Sequence, residues 1–179
     1  MRILMIYGSL SSKSINKLLA TAVAKLAPES SKIEMVGLHS LPFYNQDMES
    51  DFPESAKSLK SKIRSADGII IVTPEYNRSI PGVLKNMIDW TSRPYGDNAW
   101  DGRPVGVMGA SVGPLGTAVA QYHLKQILTH LNAHIMGQPE FHLNVTDKFD
   151  AEGNLTDETT KGDIHRFLET FQEHIAKFT

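Results

Sequence analysis

The sequence predicts an α/β domain with a doubly wound parallel sheet, because short apolar runs alternate with helical patterns along its 179 residues. Continuous apolar runs are typical of strands that are buried on both faces of a sheet. Right-handed crossovers between such strands place helices on both faces. Five strands in one domain of this size favour the flavodoxin-like strand order 2-1-3-4-5. The five predicted strands are residues 3–7, 33–38, 68–73, 105–110 and 133–136.

Helical periodicity fills the intervals between these runs. Apolar residues from Ile15 to Leu26 recur at the spacing of one helical face, and Pro81 stands where a helix tolerates proline, in the first turn. The predicted helices cover residues 14–26, 53–65, 81–91, 115–131 and 157–178. Two polar stretches, 92–103 and 139–156, are predicted to be irregular loops. We expect residues 1–179 to form a single domain.

Composition narrows the class of protein. The formal net charge of −2 gives no reason to expect nucleic acid or an acidic membrane surface as a partner. The chain has no cysteine, which excludes disulfides, thiolate metal sites and iron–sulfur clusters. No apolar window has the length of a membrane span, and the run at residues 3–7 is too short for a signal peptide. We therefore expect a cytoplasmic protein without membrane partners.

Ligands of open parallel sheets bind at the carboxyl ends of the strands, which directs attention to three loops. The first loop, GSLSSKSIN (8–16), holds four serines, Lys13 and Asn16 just before a helix. Hydroxyl groups and the amides of a helix N-terminus together form an anion site. The loop lacks both G-x-G-x-x-G and a Walker A pattern. It therefore predicts binding of one phosphate monoester, with simple helix capping by a serine as the alternative.

The second loop, TPEYNRSIPG (73–82), offers an aromatic face. Two prolines stiffen it, Asn77 tolerates left-handed backbone geometry, and Tyr76 can lie against a planar ligand. An ordinary strand-to-helix turn with a surface tyrosine is the alternative. Glu75 is either a general base or, as lone loop carboxylates commonly are, a capping or solvated group.

The third loop, GASVGPLGT (109–117), allows two interpretations. Its glycines and small side chains let the backbone approach a flat ligand closely. The pattern G-x-S-x-G also matches a nucleophile elbow, in which Ser111 would act with Asp147 or Asp150 and His165. No oxyanion-loop motif of the HGGG type precedes it, and a hydrolase would leave the serine-rich first loop without a role. No histidine and carboxylate spacing suggests a metal site.

With these loops identified, the sequence resembles the NADPH-dependent FMN reductases of flavodoxin-like fold, which include quinone, azo-dye and chromate reductases. The resemblance rests on GSLSSKSIN (8–16), TPEYNRSIPGVLKNMIDWTSRP (73–94) and GASVGPLGTAVAQYHLKQIL (109–128), with FDAEGNLTDE (149–158) as a weaker signature. The middle block is the most specific. The family commonly has arginine where this chain has Ser11 and Val119.

The resemblance implies noncovalent FMN, reduced by NADPH or NADH in a ping-pong reaction and reoxidised by small-molecule acceptors. Arg78 becomes a candidate contact for the nicotinamide nucleotide. It also implies a homodimer or homotetramer, in which Trp90, Tyr95 and Trp100 suit an interface or acceptor wall, although Trp90 alone suits the core. The residues that the resemblance assigns to FMN are Ser9, Ser11, Ser14, Ile15, Asn16, Pro74, Glu75, Tyr76, Asn77, Ser111 and Gly113.

Two other functions stay open at the level of the sequence. The first is a flavodoxin-type electron carrier, against which the small net charge speaks, because flavodoxins are usually much more acidic. The second is the serine hydrolase built on Ser111.

Overall fold

A computed structural model describes residues 1–178 and shows one parallel sheet with helices on both faces. Its strands follow the order β2-β1-β3-β4-β5, which confirms the predicted topology. The strands are β1 (Arg2–Tyr7), β2 (Lys32–Val36), β3 (Gly68–Val72), β4 (Pro104–Ser111), β5 (His134–Ile135) and β6 (Phe141–Asn144). The helices are α1 (Ile15–Leu26), α2 (Glu54–Ser65), α3 (Gly82–Thr91), α4 (Ala118–His130) and α5 (Glu158–Ile175), with a 3₁₀ turn at Gln46–Asp51.

The fifth position in the sheet is divided between two short strands. β5 pairs with the start of β4, at Pro104 and Val105, and β6 pairs with its end, from Met108 to Ser111. The prediction that 139–156 is wholly irregular is therefore wrong at β6. Residues 136–140 separate the two strands, and Pro139 has no amide hydrogen to donate to a ladder.

Two apolar layers hold the sheet between its helices. Alternate residues of β1 point to opposite faces: Ile3 and Met5 pack with α1 and α5, whereas Leu4 and Ile6 pack with α2, α3 and α4. All four side chains are at most 2% exposed. Because both faces are covered, the central strands are apolar throughout, which explains why they were visible in the sequence.

The aromatic residues around the 92–103 loop divide between core and surface. Trp90 is fully buried, as predicted for a core residue. Trp100 is also fully buried, and its indole N–H donates to the Thr91 hydroxyl at 2.9 Å. The prediction that Trp100 forms an interface or acceptor wall is therefore wrong, whereas Trp90 has the core position that suited it when taken alone. Tyr95 is 87% exposed.

Among the helices within residues 1–178, none has the length and apolar character needed to cross a membrane.

Candidate functional site

Three loops meet at the carboxyl edge of the sheet, as the strand order predicts. The Gly8 amide donates to the Val72 carbonyl, and the Thr73 amide donates to the Met108 carbonyl, both at 2.9 Å. These bonds continue the ladders one residue beyond the strands. The loops after β1, β3 and β4, which we call loops 1, 3 and 4, therefore start side by side.

Loop 1 presents hydrogen-bond donors without acceptors. Ser14 caps α1 by accepting from the Lys17 amide at 3.1 Å, which leaves the amides of Ile15 and Asn16 without a partner in the described chain. Ser9 is 4% exposed and Ser14 is 7% exposed, yet neither hydroxyl hydrogen has an acceptor within residues 1–178. Buried donors of this kind normally have partners. Their arrangement at a helix N-terminus fits an anion.

Asn16 has a structural role that the sequence did not reveal. Its side chain is 1% exposed, donates to the Ala110 carbonyl at 2.8 Å and accepts from the Ala110 amide at 2.9 Å. The side chain thus joins α1 to the end of β4. What Asn16 offers to an anion is its backbone amide. Ser11, by contrast, is exposed and its hydroxyl accepts from the Lys13 amide at 3.2 Å.

Loop 3 is a tight hairpin. Tyr76 and Ser79 exchange two backbone hydrogen bonds of 3.0 Å, and the residues between them have left-handed backbones, with φ of 51° at Asn77 and 63° at Arg78. The prediction for Asn77 is confirmed. The same geometry at Arg78 was not predicted. The hairpin holds Tyr76 with 52% of its surface exposed, two residues after the buried Pro74.

The carboxylate of Glu75 forms a hydrogen bond with helix α4. One oxygen accepts from the Ala120 amide, in the first turn of that helix, at 3.1 Å. The other lies 3.7 Å from the Arg78 guanidinium. Of the two alternatives for this residue, the structure supports a capping carboxylate.

Loop 4 is shaped by close backbone contacts. A Cβ at Gly109 would lie 1.9 Å from the Thr117 hydroxyl and 2.4 Å from the Thr73 carbonyl oxygen. A Cβ at Gly113, by contrast, would meet only the Ser111 hydroxyl, at an ordinary 3.6 Å. Gly109 is therefore required by packing, whereas the space beside Gly113 is open to a ligand.

Ser111 lacks the surroundings of a nucleophile. Its hydroxyl donates to the Gly116 carbonyl at 2.7 Å and accepts from the Gly113 amide at 3.1 Å. Within residues 1–178, its hydrogen bonds involve no histidine, and His165 lies on an exposed position of α5. The hydroxyl braces the loop, which removes the geometric basis of the hydrolase interpretation.

Asn144, at the end of β6, is a site residue that the sequence did not indicate. Its side-chain amide donates to the carbonyls of Val112 and Gly113, both at 3.1 Å. The Val145 amide also donates to the Ser111 carbonyl at 3.0 Å. These bonds attach loop 4 to the end of β6. The only signal was the alternation in FHLN, which is too short to distinguish from a loop.

Apolar side chains surround this edge of the sheet, and each loop contributes at least one. An exposed apolar side chain gains hydrophobic stabilisation only when a ligand or a partner covers it. These side chains and the unpaired donors of loop 1 lie on loops that start from the same edge of the sheet. The exposed fractions are 47% for Leu10, 52% for Tyr76, 77% for Val112 and 56% for Leu115.

Comparison with known proteins identifies the family to which the chain belongs. The model of the family described as NADPH-dependent FMN reductase matches residues 1–147. A 2-hydroxy-1,4-benzoquinone reductase from Burkholderia is 46% identical over 177 residues, covering 98% of this chain and 94% of the relative. An NAD(P)H-dependent FMN reductase from Pseudomonas aeruginosa is 39% identical over 173 residues, covering 96% and 93%. The structure of a flavoenzyme NAD(P)H:(acceptor) oxidoreductase from Paracoccus denitrificans superposes with a TM-score of 0.93 at 39% identity, covering 99% of this chain and 98% of that one.

Proposed function

The chain belongs to the NADPH-dependent FMN reductase family, and from this we propose that loops 1, 3 and 4 form its FMN site. The protein is an oxidoreductase that uses FMN, takes its electrons from NAD(P)H and passes them to small-molecule acceptors. We propose quinones as an acceptor class, since the Burkholderia relative is named for one. The observation that supports the site is the set of donors at the start of α1 that have no acceptor within residues 1–178.

In the proposed complex, loop 1 binds the phosphate. The hydroxyls of Ser9 and Ser14 and the amides of Ile15 and Asn16 donate to its oxygens, because none of these hydrogens has an acceptor in the described chain. Ser11 adds its exposed hydroxyl. Lys13, whose ammonium forms no ion pair within residues 1–178, supplies a positive charge. Together they fit a phosphate monoester dianion.

Loops 3 and 4 then flank the ring system. Pro74, Tyr76 and Asn77 form one wall, and Ser111 and Gly113 lie on the other, where the open space beside Gly113 gives clearance. Glu75 also belongs to this wall, although its carboxylate is turned to α4. All these contacts are noncovalent, and Tyr76, with 52% of its surface exposed, leaves this side of the site open to solvent.

FMN, when bound, supplies the two-electron chemistry that links NAD(P)H to the acceptor. The protein itself binds and orients FMN and leaves one side of the site open. No acid or base is required from loops 3 and 4, which agrees with Glu75 being occupied as a cap. We propose that Arg78, 71% exposed at the tip of the hairpin, contacts the phosphate of the incoming nucleotide.

We also propose a homodimer or homotetramer. Exposed Tyr95 lies beside a cavity of about 650 Å³ between α3 and α4, lined in part by Ile88, Ile127 and Leu131. Apolar lining with a polar rim is typical of subunit interfaces. Light scattering of the purified protein tests this. A cytoplasmic location and the absence of a nucleic-acid partner stay predictions.

Reductase activity is tested with the FMN-loaded protein, NADPH or NADH, and 1,4-benzoquinone under argon. We expect continuous turnover with quinone, and reduction of bound FMN by NADPH or NADH in the absence of quinone. Reduction only by an artificial donor such as dithionite would contradict the proposal and favour the electron carrier. The Ser111→Ala variant is expected to retain turnover, and neither protein is expected to hydrolyse a p-nitrophenyl ester.

A further inference from the structure

Helix α4 begins without a cap from its own sequence. Thr117 occupies the N-cap position, but its side chain caps no amide and instead accepts from the Gln121 side chain at 3.0 Å. The first turn of α4 contains no acidic residue. The Ala118 amide donates to the nearby Leu115 carbonyl at 3.2 Å, but the Ala120 amide depends on a distant part of the chain for its acceptor.

Glu75, in loop 3, supplies the acceptor for the Ala120 amide. Its carboxylate accepts from the Ala120 amide at 3.1 Å, although the two residues are 45 positions apart. The side chain is only 12% exposed, so water competes weakly for this bond. A carboxylate at a helix N-terminus also interacts favourably with the helix dipole. A second contact, between Ser79 and the His123 ring at 3.2 Å, fixes the far end of the hairpin to the same helix.

This bond joins the two walls of the proposed ring site. We call the space between residues 74–77 and 111–113 the ring slot. We infer that Glu75 is a positioning residue whose carboxylate sets the width of the ring slot by capping α4, and that it acts on the flavin through loop 4. The inference rests on the proposed FMN site.

The test compares Glu75→Ala and Glu75→Gln with Asp157→Ala. Asp157 caps α5 within its own helix, accepting from the Thr160 amide at 2.8 Å, and is therefore a control for cap loss elsewhere. In flavin-free protein, hydrogen exchange at the Ala120 amide should be about tenfold faster in Glu75→Ala. The reason is that loss of a helix cap commonly raises the equilibrium constant for local opening by about tenfold. Glu75→Gln keeps an acceptor oxygen and should stay within about threefold of the parent chain.

FMN titration gives the second readout. Glu75→Ala should weaken FMN about tenfold and alter the visible spectrum of the bound flavin. Asp157→Ala should leave both unchanged while lowering the thermal midpoint. Equal weakening of FMN by the two alanine variants, or unchanged exchange at Ala120, would overturn the inference. If Glu75→Ala does not fold, Glu75→Asp replaces it, because its side chain keeps the charge but is one methylene shorter. Failure of the parent chain to bind FMN would contradict the proposed function alone, because the exchange measurement needs no flavin.

Discussion

Replacing Asn16 by alanine separates the structural role of this residue from its assigned role in phosphate binding. The side chain makes two hydrogen bonds with the backbone of Ala110, at 2.8 and 2.9 Å, and both residues are at most 1% exposed. Asn16→Ala leaves the amide and the carbonyl of Ala110 buried and without the two partners that they have in the parent chain.

The expected loss of stability follows from these two groups. An unpaired buried backbone group costs about 1–3 kcal/mol, so Asn16→Ala should lose about 3–4 kcal/mol. For a domain of this size, each kcal/mol lowers the thermal midpoint by about 2–4 °C, which gives a decrease of about 10 °C. FMN should also bind more weakly, since α1 and its free amides are then no longer fixed to the end of β4.

Urea and thermal denaturation of flavin-free protein measure the first effect, and FMN titration measures the second. Asn98→Ala is the matched control, because Asn98 also bonds two backbone groups, the Leu131 carbonyl at 2.7 Å and the Trp100 amide at 3.0 Å, but in the 92–103 loop. It should lower stability and leave FMN affinity unchanged. A loss below about 1 kcal/mol in Asn16→Ala would refute the reasoning, because it would show that the Ala110 groups find other partners.

Three further predictions concern glycine packing, pH and nucleotide choice. Gly109→Ala places a Cβ 1.9 Å from a threonine hydroxyl and 2.4 Å from a carbonyl oxygen, so the variant should be insoluble or lose about 3 kcal/mol of stability. Gly113→Ala should fold normally and bind FMN more weakly. Solubility, melting curves and flavin titration check both variants. Hydrogen bonds, first from Thr160, lower the pKa of Asp157 from an ordinary 3.8 to about 2. The stabilising contribution of the ionised Asp157 is therefore fully present above about pH 4 and is lost as the pH falls through 2. Denaturation curves of the parent chain and Asp157→Asn should differ at neutral pH and converge as the pH falls through 2, and a constant difference would contradict this. Arg78→Ala should raise the KM for NADPH more than that for NADH, and equal effects in steady-state kinetics would show that Arg78 does not contact the phosphate.

The fold was largely predictable because its strands carry a local signal. In a sheet covered on both faces, each central strand is a continuous apolar run, and β1, β3 and β4 were found for that reason. β6 has four residues and only two of them, Phe141 and Leu143, are buried. A signal that short is indistinguishable from a loop.

The loops of the candidate site were also predictable, but their internal bonding was not. A helix start or a turn depends on neighbours in sequence, as the Ser14 cap and the Asn77 turn show. The bonds of Asn16, Glu75 and Asn144 cross 94, 45 and about 32 positions, so their partners are fixed by the folded sheet. Trp100 was misplaced although its hydrogen-bond partner Thr91 is only nine positions away, because its burial depends on packing in the apolar core.

Titration of flavin-free protein with FMN and with riboflavin tests the central claim most directly, because the two ligands differ only in the phosphate that loop 1 is proposed to bind. We expect FMN to bind at least about 100-fold more tightly than riboflavin, since several charge-assisted hydrogen bonds of about 1.5–3 kcal/mol each depend on it. In the Ser9→Ala, Ser14→Ala double variant this ratio should fall while riboflavin affinity stays the same. Equal affinities of the parent chain for the two ligands would contradict the assignment of loop 1, and with it the FMN site.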